Sequence, residues 1–341
     1  MVATIKDVAR EAGVSVASVS RALNGHATII ESKRRHIEDV AKRLRYVPHS
    51  AARSLITRRT QTIGILLPDL HGEFFSELIR GIDLEARERG LHILVSSSHG
   101  DADEAVAALT AMRGRVDGLL IMSPHVDPAF LDEHLASTVP TVLMNTRSGD
   151  TRVPSLTIDN HGGAYAVTGH LLGLGHRDIA IITGPDGNAD AGERLRGYRA
   201  ALAEIAPSAR EWVVVGDFSE ESGYRAGREL LAKDRRPDAI FASNDMMAIG
   251  CLFALMEAGV RVPDDIALAG FDDIPIARFV SPPLTTVRAN IAQLGTLAMQ
   301  QLAQVIEQPD QAHPAQRMLD AELVLRDSTG APRKTTLPTS R

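Results

Sequence analysis

Residues 4–23 carry the pattern that most restricts the fold of this chain: two short runs of apolar residues at helical spacing on either side of Gly13. Thr4 is placed to cap the first helix and Ser15 the second, and the glycine ends the first. A third amphipathic stretch, at about 32–44, has basic residues on its outer face. Three short helices around one small apolar core predict an all-α helix-turn-helix domain.

Charge is distributed unevenly along the chain. Residues 1–60 contain 12 Lys and Arg against 5 Asp and Glu, a net charge of +7, whereas the remaining residues contain 25 against 38, a net charge of −13. A basic head on an acidic body is typical of a phosphate-binding module attached to a part that does not touch nucleic acid. This asymmetry favours DNA binding over the alternative, that the head is a helical cap on a larger enzyme.

From Gln61 onward, short β-rich apolar runs alternate with helical patterns, as in parallel sheets with crossover helices. Serial units of this kind predict an α/β body of two doubly wound parallel-sheet lobes, with ligands at the carboxyl ends of the strands. The predicted strands are 63–67, 91–96, 116–122, 140–145, 178–184, 211–218, 237–245 and 265–273. The predicted helices include 74–89, 193–204 and 246–258.

These patterns divide the chain into four segments. Residues 1–46 are predicted to form the helix-turn-helix domain, 47–61 a hinge helix and linker, and 62–327 a two-lobed body for effector binding and dimerisation. The polar tail, 328–341, has two prolines and no leucine heptad, so we expect it to be disordered and expect a dimer rather than a tail-mediated tetramer. The predicted lobe limits are about 62–160 and 290–325 for lobe 1 and about 161–289 for lobe 2.

Motifs of catalysis and metal binding are missing from the sequence, which has no GxxxxGK[ST], HExxH or CxxC pattern. We interpret His170 and His176 as helix-end and turn residues rather than metal ligands. The single cysteine, Cys251, lies in an apolar helical run and is predicted to be a buried structural thiol. There is also no apolar stretch typical of a signal peptide or a membrane span. The sequence therefore predicts a cytoplasmic binding protein without enzymatic activity, metal or cofactor.

Short motifs follow one another in a fixed order along nearly the whole chain. They include DVAREAGVSVASVSRALNG (7–25), YVPHSAARSL (46–55), TIGILLPD (62–69), ERLRGYRAAL (193–202), FASNDMMAIG (241–250) and VPDDIALAGFDDI (262–274). In this order they resemble the LacI/GalR family of transcriptional regulators. The resemblance implies a periplasmic-binding-protein-like body and a homodimeric repressor that binds pseudopalindromic operator DNA.

The resemblance also implies which residues contact DNA. Leu55 of the hinge would enter a minor-groove step as an apolar wedge, flanked by Ala52 and Arg53; the alternative is that Leu55 packs on the body. Val16 and Ala17 offer only apolar contacts to thymine methyl groups, so readout would depend on other residues as well. The expected DNA-binding residues of the head are Thr4, Ser15, Val16, Ala17, Ser18, Ser20, Arg21 and Asn24.

For the body, the resemblance implies an effector bound between the lobes that changes operator affinity allosterically. Asp272 would accept hydrogen bonds from hydroxyl groups, Arg194 would donate, and the phenylalanines would stack on the C–H face of a sugar ring. We expect Asp245 to cap the helix that begins at Met246. The expected effector-binding residues are Asp69, Phe74, Phe75, Ser123, Asn145, Arg194, Phe218, Asn244 and Asp272.

Several alternatives stay open at this point. Phe74 or Phe75 could belong to the core instead, and Asp273 could cap the following turn. His71, Gly72 and Glu73 depart from the family pattern and imply a different ligand rim. A sugar is the expected effector, with a purine or nucleoside as the alternative. The competing classes are a periplasmic sugar-binding protein and a sugar-modifying enzyme with an accessory DNA-binding head.

Overall fold

The computed structural model describes most of the chain as two compact units, residues 1–60 and residues 61–341. The predicted hinge contacts Ala52, Arg53 and Leu55 lie outside the described residues, as do Asn24 and the tail 331–341. The described residues are 3–23, 28–46, 59–124, 139–146, 153–309 and 316–330.

The head contains the three predicted helices, Ile5–Glu11, Val16–Leu23 and Glu31–Arg43. At the start of the first helix, the backbone N–H and the hydroxyl of Thr4 donate to Asp7 over 3.0 Å and 2.7 Å. At the start of the second, Ser15 Oγ accepts from a backbone N–H one turn later, over 3.1 Å. The helices share one small core that consists of Val8, Ala9, Ala12, Val19, Ala22, Ile37, Val40 and Ala41.

The body contains twelve described strands, numbered here in chain order. In lobe 1 they are β1 (Thr62–Leu67), β2 (His92–Ser97), β3 (Gly118–Ile121), β4 (Thr141–Met144) and β5 (Ser155–Ile158). In lobe 2 they are β6 (Ile179–Thr183), β7 (Trp212–Val215), β8 (Ala239–Ala242) and β9 (Ala267–Ala269). The last three are β10 (Thr286–Arg288), β11 (Gln316–Leu319) and β12 (Glu322–Val324).

In each lobe the main described sheet is parallel, as the alternating pattern predicted, and β10 and β12 form a separate two-stranded sheet. The lobe 1 sheet has the order β11-β5-β4-β3-β1-β2, and the lobe 2 sheet has the order β7-β6-β8-β9. Helices cover the sheets and bury their apolar strands in two clusters, a large one that extends through both lobes and a smaller one under helix Ala102–Met112 of lobe 1. In lobe 1 the helices are Glu73–Glu88, Ala102–Met112 and Ile291–Glu307. In lobe 2 they are Asn160–Gly173, Ala189–Ile205, Glu220–Leu231 and Asp245–Glu257.

The described chain passes between the lobes three times: after β5, after β10 and after β11. The third passage lies earlier than predicted, because β12 pairs antiparallel with β10, with Val324 opposite Thr286. Residues 322–325 therefore belong with lobe 2 and not with lobe 1. The body also extends past its predicted end at 327, since Ser328 and Thr329 are buried and the Ser328 hydroxyl donates to the Leu268 carbonyl over 2.6 Å.

The single cysteine of the body matches its prediction. Cys251 is fully buried, and burial raises the pKa of its thiol to about 12. No helix within the described ranges is long and apolar enough to cross a membrane.

Lobe 1 depends on close packing between helices Glu73–Glu88 and Ile291–Glu307, where a Cβ atom at Gly81 would overlap the backbone carbonyl of Ala292. We therefore expect Gly81→Ala to lower the free energy of unfolding by about 1–3 kcal/mol, because backbone cannot move aside as a flexible side chain does. Urea denaturation followed by circular dichroism measures this change.

The matched control is Gly192→Ala in helix Ala189–Ile205, where an added Cβ meets nothing within 4 Å. This substitution should raise the free energy of unfolding by about 0.5–1 kcal/mol, since alanine is the better helix former. Equal effects at the two positions would contradict the packing described for lobe 1.

Candidate functional site

A cavity of about 310 Å³ lies between the lobes of the body, next to the ends of several strands. Lobe 1 contributes the loops that follow β1, β2 and β3, and lobe 2 contributes the loops that follow β6, β7, β8 and β9. This position agrees with the rule that ligands bind at the carboxyl ends of parallel strands. Its lining residues include Asp69, His71, Phe74, Phe75 and His99 from lobe 1, and Asn188, Asp190, Arg194, Asp217, Phe218, Asn244 and Asp272 from lobe 2.

Arg194, on helix Ala189–Ile205, is the central cation of this cavity and is only 3% exposed. Its Nε donates to Asn160 Oδ1 over 2.8 Å, Nη1 donates to the Ser243 carbonyl, and Nη2 donates to Asp272 Oδ1 over 3.3 Å. The guanidinium also lies over the Phe271 ring, 3.9 Å from its centroid. These contacts fix the orientation of the guanidinium before any ligand arrives.

Asp272 is the acceptor that faces Arg194, and it is 4% exposed. Its burial raises the pKa to about 7, although Arg194 lowers it and Asp190 contributes a further increase. Near neutral pH the Asp272 carboxyl group therefore exchanges between its charged and neutral forms. This places a hydrogen-bonding group of adjustable charge beside a fixed donor.

The start of helix Ala189–Ile205 adds amide and carboxylate groups to the same wall. Asn188 Oδ1 accepts from the Ala191 N–H over 3.0 Å and so caps the helix. Asp190 Oδ1 accepts from Asn160 Nδ2 over 2.8 Å. The cap explains why the helix begins earlier than the predicted residue 193.

Phe218 supplies an aromatic face, held by the backbone around it. Its φ is +71°, and its carbonyl accepts from Asn244 Nδ2 over 3.0 Å. The ring lies so close to Gly184 that a Cβ atom there would overlap it. Asn244 Oδ1 also accepts from the Met247 N–H over 2.9 Å, so the side chain of Asn244 both positions Phe218 and caps a helix.

This arrangement corrects the expected role of Asp245. Helix Asp245–Glu257 begins one residue earlier than predicted, with Asn244 as its cap. Asp245 is fully buried and accepts from the Thr286 hydroxyl over 2.5 Å and from the Ile274 N–H over 2.9 Å. Asp273 likewise binds two arginines instead of capping the next turn.

Two phenylalanines form the apolar side of lobe 1. Phe74 and Phe75 meet edge to face, with ring centroids 5.3 Å apart and an interplanar angle of 83°. Both line the cavity and both also pack against the core, so the two alternatives left open by the sequence apply to each ring at once.

Polar contacts join the lobes at the mouth of the cavity. His71 Nε2 lies 3.5 Å from Glu220 Oε2, and both side chains are exposed. Glu73 Oε2 accepts from the Ile276 N–H over 3.1 Å. The departure from the family pattern at 71–73 thus falls on residues that touch the opposite lobe.

Two of the predicted effector contacts do not line the cavity. Ser123 is buried, and its N–H donates to Thr146 Oγ1 over 2.7 Å. Asn145 is also buried, and its Oδ1 accepts from the Ile158 N–H over 3.2 Å. These residues follow β3 and β4, so the strand-end rule places them correctly along the chain. The Ser123 backbone and the Asn145 side chain form hydrogen bonds at the strand ends of lobe 1.

Other lining residues were missed by the sequence analysis. His99 and Asp217 both lie just after strands, β2 and β7, so the strand-end rule that selected Asp69 would also have selected them. The described ranges contain no cluster of His, Cys, Asp and Glu suited to a metal ion. Of the two histidines interpreted as turn residues, His170 Nε2 bonds Thr329 Oγ1 over 3.1 Å, and buried His176 lies 3.6 Å from Asp238.

A second candidate surface lies on the head, along the outer face of helix Val16–Leu23. Val16 is 41% exposed, and Ser15, Ala17 and Arg21 are also exposed. Arg21 Nε donates to the Ala17 carbonyl over 3.2 Å, which holds the arginine along the helix. Thr4 is exposed, whereas Ser18 and Ser20 are half-buried at the edge of the face. The predicted DNA contacts that the structure describes therefore lie on the solvent side of the head.

Comparison with known proteins relates both parts of the chain to described families. Residues 4–49 match the model of bacterial regulatory proteins of the lacI family, and residues 168–329 match the periplasmic binding protein-like domain. The ribose operon repressor of Escherichia coli (strain K12) is 39% identical over 310 residues, which cover 90% of this chain and 94% of that protein.

Solved structures agree with this relationship. The lac repressor dimer bound to operator and the anti-inducer ONPF has a TM-score of 0.87 at 28% identity, over 97% of this chain and 100% of that one. A LacI-family transcriptional regulator from Enterococcus faecium with bound ribose has a TM-score of 0.72 at 30% identity, over 80% of this chain and all of that one. With relatives matched along almost its entire length, this chain belongs to the lacI family of bacterial DNA-binding transcriptional regulators.

Proposed function

We propose that this protein is a cytoplasmic repressor, without enzymatic activity, whose affinity for operator DNA is controlled by an uncharged monosaccharide in the cleft. The observation that carries the proposal is the buried pair of Arg194 and Asp272, which presents a fixed donor and an adjacent acceptor to the cavity. Neighbouring hydroxyl groups of a sugar match such a pair. The ribose-bound relative supports the same ligand class.

The charge of the lining favours an uncharged ligand. Among the lining residues that the structure describes, four are carboxylates, Asp69, Asp190, Asp217 and Asp272, whereas one is an arginine, Arg194, and none is a lysine. An anionic group would lose water and meet this excess of negative charge. The cavity of about 310 Å³ lies at the lower end of ligand pocket sizes, which suits a single sugar ring.

The cleft also explains how a ligand would act on DNA. A sugar that touches Phe74 in lobe 1 and Arg194 in lobe 2 binds best at one separation of the lobes. Only this difference in affinity shifts the population toward that separation. In a homodimer the shift would change the spacing of the two hinges, and Leu55 would then insert into the operator less or more readily.

The first prediction concerns pH. If sugar hydroxyl groups donate to Asp272, binding requires the carboxylate, so affinity for D-ribose should rise about tenfold between about pH 6 and about pH 8. The sign follows from the Asp272 pKa of about 7, because the proton must leave before the ligand binds. Titration calorimetry with the full-length protein at both pH values measures the effect.

The comparison variant is Asp272→Asn, which keeps an acceptor oxygen but cannot ionise. It should bind D-ribose more weakly at the higher pH and show no rise across the range. A rise of the same size in this variant would assign the pH dependence to another group and remove Asp272 from the proposed site.

The second prediction concerns the charge of the ligand. D-Ribose should raise the melting temperature of the body, whereas D-ribose 5-phosphate should bind at least about tenfold more weakly because of the four carboxylates. Thermal shift over a concentration series of each compound gives the two affinities. Equal binding of both compounds would contradict the electrostatic argument. If adenosine binds and no free sugar does, the proposed effector would be a nucleoside instead of a monosaccharide.

The third prediction concerns the hinge. Leu55→Ala should weaken binding to an operator fragment, obtained by selection from random duplexes, by about tenfold, because the minor-groove wedge is lost. Leu325→Ala, which truncates an exposed leucine of the body, is the matched control and should not alter affinity. Fluorescence anisotropy at fixed salt reports both, and unchanged affinity for the hinge variant would favour packing of Leu55 on the body.

A further inference from the structure

Two consecutive carboxylates, Asp272 and Asp273, have separate partners. Asp272 lines the cavity and faces Arg194. Asp273 does not line it; its side chain is 4% exposed and lies between two arginines. Both residues have positive φ values, 112° and 55°, which residues other than glycine seldom adopt. Such a backbone is kept only where the surrounding contacts determine it.

The partners of Asp273 belong to two of the three passages between the lobes. Its Oδ2 accepts from Arg288 Nε over 2.9 Å, and its Oδ1 accepts from Arg326 Nη2. Arg288 ends β10, from which the chain enters helix Ile291–Glu307 of lobe 1. Arg326 follows β12, which the chain reaches from β11 of lobe 1. One carboxylate therefore holds both passages beside the cavity wall.

Backbone hydrogen bonds connect the same passages to Asp272. The Asp272 N–H donates to the Val287 carbonyl over 2.8 Å, and the Ala289 N–H donates to the Asp272 carbonyl over 3.3 Å. The passages are also joined to each other, because β10 pairs with β12 and Arg288 Nη1 lies 3.6 Å from Glu322 Oε2. A shift of Asp272 on ligand contact would therefore move strands that continue into lobe 1.

We propose that Asp273 is a positioning residue that couples effector contact at Asp272 to the relative orientation of the two lobes. This inference rests on the proposed effector-controlled function. Asp273 does not touch the ligand; it holds β10 and β12 as one unit, so that rearrangement at the cavity wall reaches lobe 1 through both passages together. The purely structural alternative is that Asp273 only stabilises the edge of lobe 2.

The test separates ligand binding from coupling. For Asp273→Asn, calorimetry should give a D-ribose dissociation constant within about threefold of the wild type. The ratio of operator affinities with and without saturating D-ribose should fall at least about fivefold toward one, since this ratio measures the coupling. Arg326→Lys keeps the charge but not the planar fork, and should lose part of the coupling.

Asp178→Asn is the matched control. Asp178 also binds an arginine of lobe 2, Arg235, but it lies at the opposite, amino end of β6. The Asp178→Asn variant should leave the ratio of operator affinities with and without D-ribose unchanged. A wild-type ratio in Asp273→Asn, or a lower ribose affinity with an unchanged ratio at saturation, would overturn the coupling role.

A ligand-free measurement distinguishes failure of this inference from failure of the proposed function. Without any sugar, Asp273→Asn should speed hydrogen exchange of backbone amides in β10 and β12 together, and Asp178→Asn should not. Unchanged exchange in those strands would overturn the inference whatever the effector is. Absence of D-ribose binding by the wild type, with faster exchange in the variant, would count against the sugar while supporting the link between the passages.

Discussion

Removal of the Arg194 guanidinium from water is the constraint on which the site depends. A buried cation is tolerated only where hydrogen bonds and a counter-charge replace its hydration, and loss of one partner typically costs about 3–5 kcal/mol. Here the side chain of Asn160, the carbonyl of Ser243 and the carboxyl group of Asp272 supply those partners. They come from three different parts of lobe 2, so the lobe must be folded before the donor is in place.

That constraint gives the carboxylates around it different roles. Asp272 is both the counter-charge of Arg194 and the group exposed to ligand. Asp245 is deeper, and burial together with the charge of Asp272 raises its pKa well above the usual value. It therefore acts as a structural hydrogen-bonding group for Thr286 and Ile274. Asp273 is satisfied by two arginines. The three carboxyl groups can thus lie close together because each has its own hydrogen-bond donors or cations, which offset the cost of burying it.

The sequence predicted the architecture well because its signals are local. Helix caps, apolar alternation and strand ends depend on neighbouring residues, so the head and the parallel sheets could be found. Asp69, Arg194 and Asp272 were expected from the family resemblance of their motifs, and all three line the cleft. That Ser123 and Asn145 lie outside the described lining could not be found, because it depends on tertiary contacts at the strand ends, where the Ser123 N–H donates to Thr146 and the Asn145 side chain accepts from Ile158. The predicted end of lobe 1 was wrong for a related reason, because β12 pairs with β10, which is distant in the sequence.

The weakness of the contacts at the cleft mouth gives a small ligand its influence. The His71–Glu220 contact joins two exposed side chains, and such pairs contribute between zero and about 1 kcal/mol. The hydrogen bond from the Ile276 N–H to Glu73 adds about 1 kcal/mol more. Contacts of this size do not lock the lobes together. Under the proposed function, a sugar that formed several hydrogen bonds across both walls would exceed them, and its binding energy would then determine the separation of the lobes.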